Sequence, residues 1–107
     1  MFFFIEQNAH YDRGLIMGMT LEELEKCYIK ALIEGAEYVA VQIEIDGFHS
    51  EEVIINDKYN IDSELKYYKK TYNENLEHRW TPGIRIIGFA YGYSFSEILH
   101  ELGLLVK

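Results

Sequence analysis

The sequence predicts an α+β domain in which two β-α-β units are joined by a hairpin. Three observations carry that expectation. Apolar residues recur at helical spacing over two separate stretches. Short apolar or alternating runs lie before, between and after them. An Asp46-Gly47 pair stands between two of those runs, where a tight turn needs residues that tolerate positive φ. At 107 residues with a single proline, the chain fits one domain, residues 1–107, with a core of its own.

The elements follow in order. Phe2 to Gln7 reads as a strand, apolar and aromatic on both faces. Asn8 to Met19 is polar and bears glycines, and reads as a long connection. Thr20 with Glu23 three residues on forms a capping box. Behind it Leu21, Leu24, Cys27, Tyr28, Ala31 and Leu32 share one helical face, and Gly35 ends the helix in a left-handed cap. Val39, Val41, Ile43 and Ile45 alternate with Ala40, Gln42, Glu44 and Asp46, the pattern of a half-buried strand. The chain returns after the Asp46-Gly47 turn through Glu51 to Ile55. A two-residue turn would set Glu44 opposite His49 and Gln42 opposite Glu51.

A second helix is expected from Asp62 toward Glu77, with Leu65, Tyr68, Tyr72 and Leu76 as its apolar stripe and Ile61 ahead of it. Pro82-Gly83 interrupts the chain. Ile84 to Tyr91 forms the last strand, with Ile87, Phe89 and Tyr91 on one face and Ile84, Ile86 and Ala90 on the other. Ser94 and Glu97 cap a short third helix that Gly103 ends. The order β-α-β-β-α-β corresponds to the ferredoxin-like split βαβ arrangement with an extra C-terminal helix. In it the first and third strands are central and both crossover helices lie on one sheet face. The third helix, with Phe95, Ile98, Leu99 and Leu102, would cover the other face; a homodimer interface is the alternative cover.

Charge limits the partners. The net charge is −8, and residues 1–57 hold twelve acids against three bases, whereas residues 58–107 hold six against seven. An acidic surface repels phosphate, so direct nucleic-acid binding is disfavoured and a basic protein partner is favoured. No apolar run approaches the ~20 residues of a membrane span. One cysteine cannot form an internal disulfide, and the N-terminus lacks a basic leader, so a cytoplasmic location is expected.

Motifs for chemistry are thin. The four histidines show no metal-ligand spacing among themselves. Glu97-x-x-His100 matches half of a carboxylate-bridged metal motif and has no second copy. Gly92-Tyr93-Ser94-Phe95-Ser96 sits between strand and helix like a nucleophile elbow, but the final glycine is missing and Ser94 is explained as an N-cap. Gly88 and Gly92 come without the lysine or glycine spacing of a phosphate loop. Cys27 lies on an apolar stripe and reads as a structural thiol. No cofactor or metal is expected. The expected function is noncatalytic protein binding, as in an inhibitor of a basic nucleic-acid-processing protein of the immunity, antidote or phage anti-defence type. A sensing module using the 8–19 loop and a small enzyme with an unrecognised site are the alternatives. The expected binding residues are Glu44, Asp46, Glu51 and Glu52 around the hairpin, with His10, Tyr11 and Asp12 on the loop. Close carboxylates there would strain the hairpin, and a partner's lysines or arginines would relieve it.

Overall fold

A computed structural model describes residues 2–6, 19–47 and 50–104, with residues 2–6, 50 and 51 described as backbone. The elements are β1 (Phe2–Glu6), α1 (Leu21–Glu34), β2 (Tyr38–Ile45), β3 (Ser50–Asp57), a 3₁₀ turn (Lys58–Asn60), α2 (Ile61–Thr71), β4 (Ile84–Gly92) and α3 (Phe95–Glu101). They form an α+β fold around one antiparallel sheet.

The strand order is β1-β3-β2-β4, which is not ferredoxin-like. In the expected order β4 would join beside β1. Here it pairs with β2, so β2 and β3 are central and β1 and β4 are edges. The residues of β2 account for its place. Val39 to Ile43 carry no charge and are buried on both faces, as a central strand requires, including Gln42 at 1 % exposure. Ala40 lies opposite Ala90, small against small, leaving room for α3 above them. Two bonds tie the ends of the pair: Glu37 N donates to Gly92 O at 3.1 Å and Asp46 N to Gly83 O at 2.8 Å.

Both crossover helices cover one sheet face. Leu24, Tyr28 and Ala31 of α1 and Ile61, Leu65 and Tyr68 of α2 share a core with Val39, Val41 and Ile43. On the opposite face Ile98 and Leu102 are buried against Ala40, Val53, Ile55 and Ala90, as expected of α3, and the Phe95 ring packs edge-on against Tyr38 at 4.9 Å. Capping followed the sequence. Thr20 Oγ1 accepts from Glu23 N, Ser94 Oγ accepts from Glu97 N, and Gly35 takes φ 73°.

Three local expectations fail, each for a physical reason. The hairpin pairs Glu44 with Glu51 and Gln42 with Val53, so residues 46–49 join the strands in place of a two-residue turn. A slip of two residues keeps every side chain on its own face, so alternation cannot tell the two registers apart. In β4 the register shifts: Gln42 faces Gly88 while Ile43 faces Ile86, leaving Ile87 as a bulge. The bulge puts Ile84, Ile86, Phe89 and Tyr91 together on the α1 side, with Ala90 on the α3 side. Finally, α2 stops at Thr71, well short of Glu77, and begins with Ile61 inside the helix. Asn73 Oδ1 accepts from Asn75 N and Glu77 N, an alternative to helical bonding that ends the periodic run.

Candidate functional site

The fold gathers distant segments at one end. Glu6, where β1 ends, pairs with Ser50 at the start of β3. Leu21 N, at the start of α1, donates to Glu74 O at 3.0 Å. Asp46 is tied to Gly83. The hairpin connection, the segment 72–83 and both described anchors of the 7–18 segment therefore lie at the same end. His10, Tyr11 and Asp12 lie outside the described residues, as does His49.

The hairpin acids do not form one uncompensated cluster. Glu44 is held by Arg85, with both Nε and a terminal guanidinium nitrogen 2.8 Å from Oε1. The base comes from β4, so only the strand order brings it there, and it offsets the like-charge repulsion expected at Glu44. Glu51 lies opposite Glu44 in the register. Glu52 lies opposite Ile43, on the α1–α2 face, and is half-buried. Its carboxylate is the third cause, after burial and Tyr67, that pushes the Tyr72 phenol up to about 12. Asp46 is exposed at the turn, and a Cβ on Gly83 would come within 3.2 Å of its side chain. Gly83 itself has φ 90°, a conformation that favours glycine there.

The segment 72–83 was not foreseen as part of a site. Trp80, the only tryptophan, is 65 % exposed. The segment is nonetheless fixed. Leu76 is fully buried in the core although its φ is 65°. Its carbonyl accepts from Ile86 N, and His78 N donates to Ile84 O, so residues 76–78 run along the outer edge of β4. The His78 ring lies between Tyr72 and Trp80, with centroids at 5.2 and 6.1 Å, and its Nδ1 accepts from Trp80 N at 3.2 Å and Thr81 N at 3.0 Å. A row of edge-on aromatic contacts runs inward from there through Tyr72 and Tyr68 to Tyr28. The signal in the sequence was a lone tryptophan in an aperiodic stretch beside Pro82-Gly83, where exposure is invisible to a pattern reading.

The residues considered for chemistry are committed elsewhere. Ser94 caps α3. Glu97 Oε1 accepts from Tyr93 N at 2.6 Å and fills the space beside Gly92, where a Cβ would meet it at 3.0 Å. The Glu97-x-x-His100 pair and an anion cradle at this helix end are thereby both accounted for. Burial pushes the Cys27 thiol up to about 12, against a smaller lowering by Lys30, so it stays a neutral thiol at neutral pH. Among the described residues no group of three His, Cys, Asp or Glu could hold a metal ion, and no helix is long and apolar enough to cross a membrane. Comparison with protein-family models, curated proteins and solved structures gave no match to this chain. The geometry therefore defines an α+β domain with an exposed, firmly held tryptophan at the end where its acidic hairpin turns.

Proposed function

We propose that this is a noncatalytic docking domain that binds a basic protein through the end carrying Trp80 and the hairpin. The observation that supports it is Trp80 itself. An exposed indole on a mobile tail loses entropy on binding, whereas Trp80 has its backbone N–H bonded to His78 and its ring edge-on to the same side chain, and so has less to lose. Tryptophan is the residue most suited to anchor an interface, being large, apolar and able to donate. The charge supplies the partner's character. A net −8, concentrated in residues 1–57, accelerates encounter with a lysine- or arginine-rich surface. A nucleic-acid groove is such a surface, and a domain seated in it acts as an inhibitor of the immunity, antidote or anti-defence kind. The proposed docking residues are Trp80, Asp46, Glu51 and Glu52, together with the sequence-predicted loop residues His10, Tyr11 and Asp12. Glu44 is a structural partner of Arg85.

The test is affinity capture with the full chain from cells that express it, followed by mass spectrometry and kinetic measurement on the captured protein. Wild type should retain a basic protein. Trp80→Ala should weaken that binding by ~2 kcal/mol or more, about thirtyfold, chiefly through faster dissociation. Asp46→Lys with Glu52→Lys should slow association and flatten its salt dependence. Equal retention by all three proteins would overturn the assignment.

A further inference from the structure

The Trp80 turn is closed by an acceptor that acid can remove. Two side chains organise the segment 72–83. Asn73 Oδ1 accepts from Asn75 N at 2.8 Å and from Glu77 N at 3.0 Å; His78 Nδ1 accepts from Trp80 N and Thr81 N at 3.2 and 3.0 Å. The two motifs are alike in form and differ in chemistry. An amide oxygen keeps its lone pairs at every pH. An imidazole nitrogen accepts only while its proton is on the other nitrogen.

We propose that His78 is an acid-sensitive latch that fixes Trp80 in place at neutral pH and releases it when the ring is protonated. In the latched state the ring is neutral with its hydrogen on Nε2. Protonation at Nδ1 replaces the lone pair by an N–H, which then faces two backbone N–H groups, and both bonds fail together. The surroundings do not compensate. The rings against His78, Tyr72 and Trp80, are uncharged at neutral pH. On its own segment it is flanked by Glu77 and Arg79. The Glu77 carboxylate accepts from Asn73 Nδ2 at 3.3 Å. Arg85, which faces Glu77 across the β4 edge, is held by Glu44. From β3, Glu52 acts on the Tyr72 phenol; from the last turn of α2 come Lys69 and Lys70, with Lys69 bound to Glu25 at 2.9 Å.

The release is local. His78 N to Ile84 O, Arg79 N to Thr71 O and Asp46 N to Gly83 O are backbone bonds that do not involve the ring, so residues on either side of the turn stay anchored. What changes is the short stretch that presents the tryptophan. The latch stands on geometry alone. Its consequence for docking, weaker binding in acid, rests on Trp80 being the anchor, and the experiment below reads the latch in the free protein.

The full-length chain is studied by NMR. At about pH 8 the ring nitrogens should show an unprotonated Nδ1 and a protonated Nε2. Exchange of backbone amides with water is then followed as the pH is lowered from about 8 until the ring nitrogens report protonation, and normalised for intrinsic rates. Protection at Trp80 and Thr81 should fall roughly tenfold, while Asn75 and Glu77, held by Asn73, serve as an internal reference and keep theirs. His78→Asn keeps an acceptor at that position and cannot gain the proton, so its Trp80 and Thr81 amides should stay protected throughout. His78→Phe keeps the ring and lacks the acceptor, so they should be unprotected throughout. A proton on Nδ1 at about pH 8, or equal loss of protection in wild type and His78→Asn, would overturn the proposal. If either variant fails to fold, the wild-type ring assignment and the comparison with Asn75 and Glu77 still decide it.

Discussion

Replacing Tyr28 by phenylalanine should make this protein more stable. Tyr28 is fully buried, edge-on to Tyr68 at 6.1 Å, and its hydroxyl has no hydrogen-bond partner among the described residues. Burial, first among several causes, raises its pKa well above 10. A buried hydroxyl left without a partner costs ~1–3 kcal/mol relative to its state in water. Removing it leaves a void of roughly 12 Å³, which at ~24 cal/mol per Å³ costs only about 0.3 kcal/mol. The net expectation is a gain of about 1–2 kcal/mol, or roughly 4–8 °C in Tm for a domain of this length. Tyr68→Phe is the control of opposite sign. That ring is as deeply buried, but after burial it is the nearby Glu64 carboxylate, one turn earlier, that most raises the pKa of its hydroxyl, a partner that Tyr28 lacks, so its removal should cost about 1–2 kcal/mol. Urea unfolding of both variants, with unchanged m-values, reads the two effects. If Tyr28→Phe is destabilised by about 1 kcal/mol, the hydroxyl has a partner and the desolvation account is wrong.

Leu76 is fully buried at φ 65°, so the two small substitutions should rank in reverse of the usual order. Leu76→Ala loses ~2–5 kcal/mol of packing and keeps the strain, whereas Leu76→Gly loses the same packing and recovers ~1 kcal/mol; equal or opposite ranking by chemical denaturation would refute it. At alkaline pH the protein should weaken in a defined window. Cys27 ionises at about 12 when folded against about 9 when exposed, and Tyr72 at about 12 against 10. In that interval the unfolded chain holds fewer protons, so stability is full below about pH 9 and falls as pH rises toward 12. Cys27→Ala should remove the earliest part of the fall, between about pH 9 and 10, and urea midpoints that decline identically in both proteins would contradict this.

Local structure was legible where one residue type forces one geometry. Thr20, Ser94 and Gly35 announced their helix ends because capping bonds are made within three or four residues. Leu65, Tyr68 and Tyr72 face the core as their spacing required, and Leu76 reaches the same core by a left-handed turn that no periodicity predicts. What escaped was decided between distant residues. The hairpin register depends on a loop geometry to which a period of two is indifferent. The β4 bulge at Ile87 depends on how β4 meets β2, and it inverted the expected faces of Phe89 and Tyr91.

Strand order also settles the electrostatics of the candidate site. With β4 beside β1, Arg85 would be on the far side of the sheet from Glu44, and the hairpin would carry an unrelieved set of carboxylates. With β4 beside β2, Glu44 and Arg85 are cross-strand partners joined by a partly exposed ion pair. The same pairing ties Gly83 to Asp46 and so carries the segment 72–83 to the hairpin. One topological choice therefore removes a charge from the expected acidic surface and adds a tryptophan to it. The balance of the site shifts accordingly. Exposed charges such as Asp46 act mainly on how fast a basic partner arrives, whereas an ordered indole acts on how long it stays. If this end is the docking face proposed above, charge reversal at the hairpin should move the association rate and substitution of Trp80 the dissociation rate, because the charge and the indole lie on different segments that meet at one end.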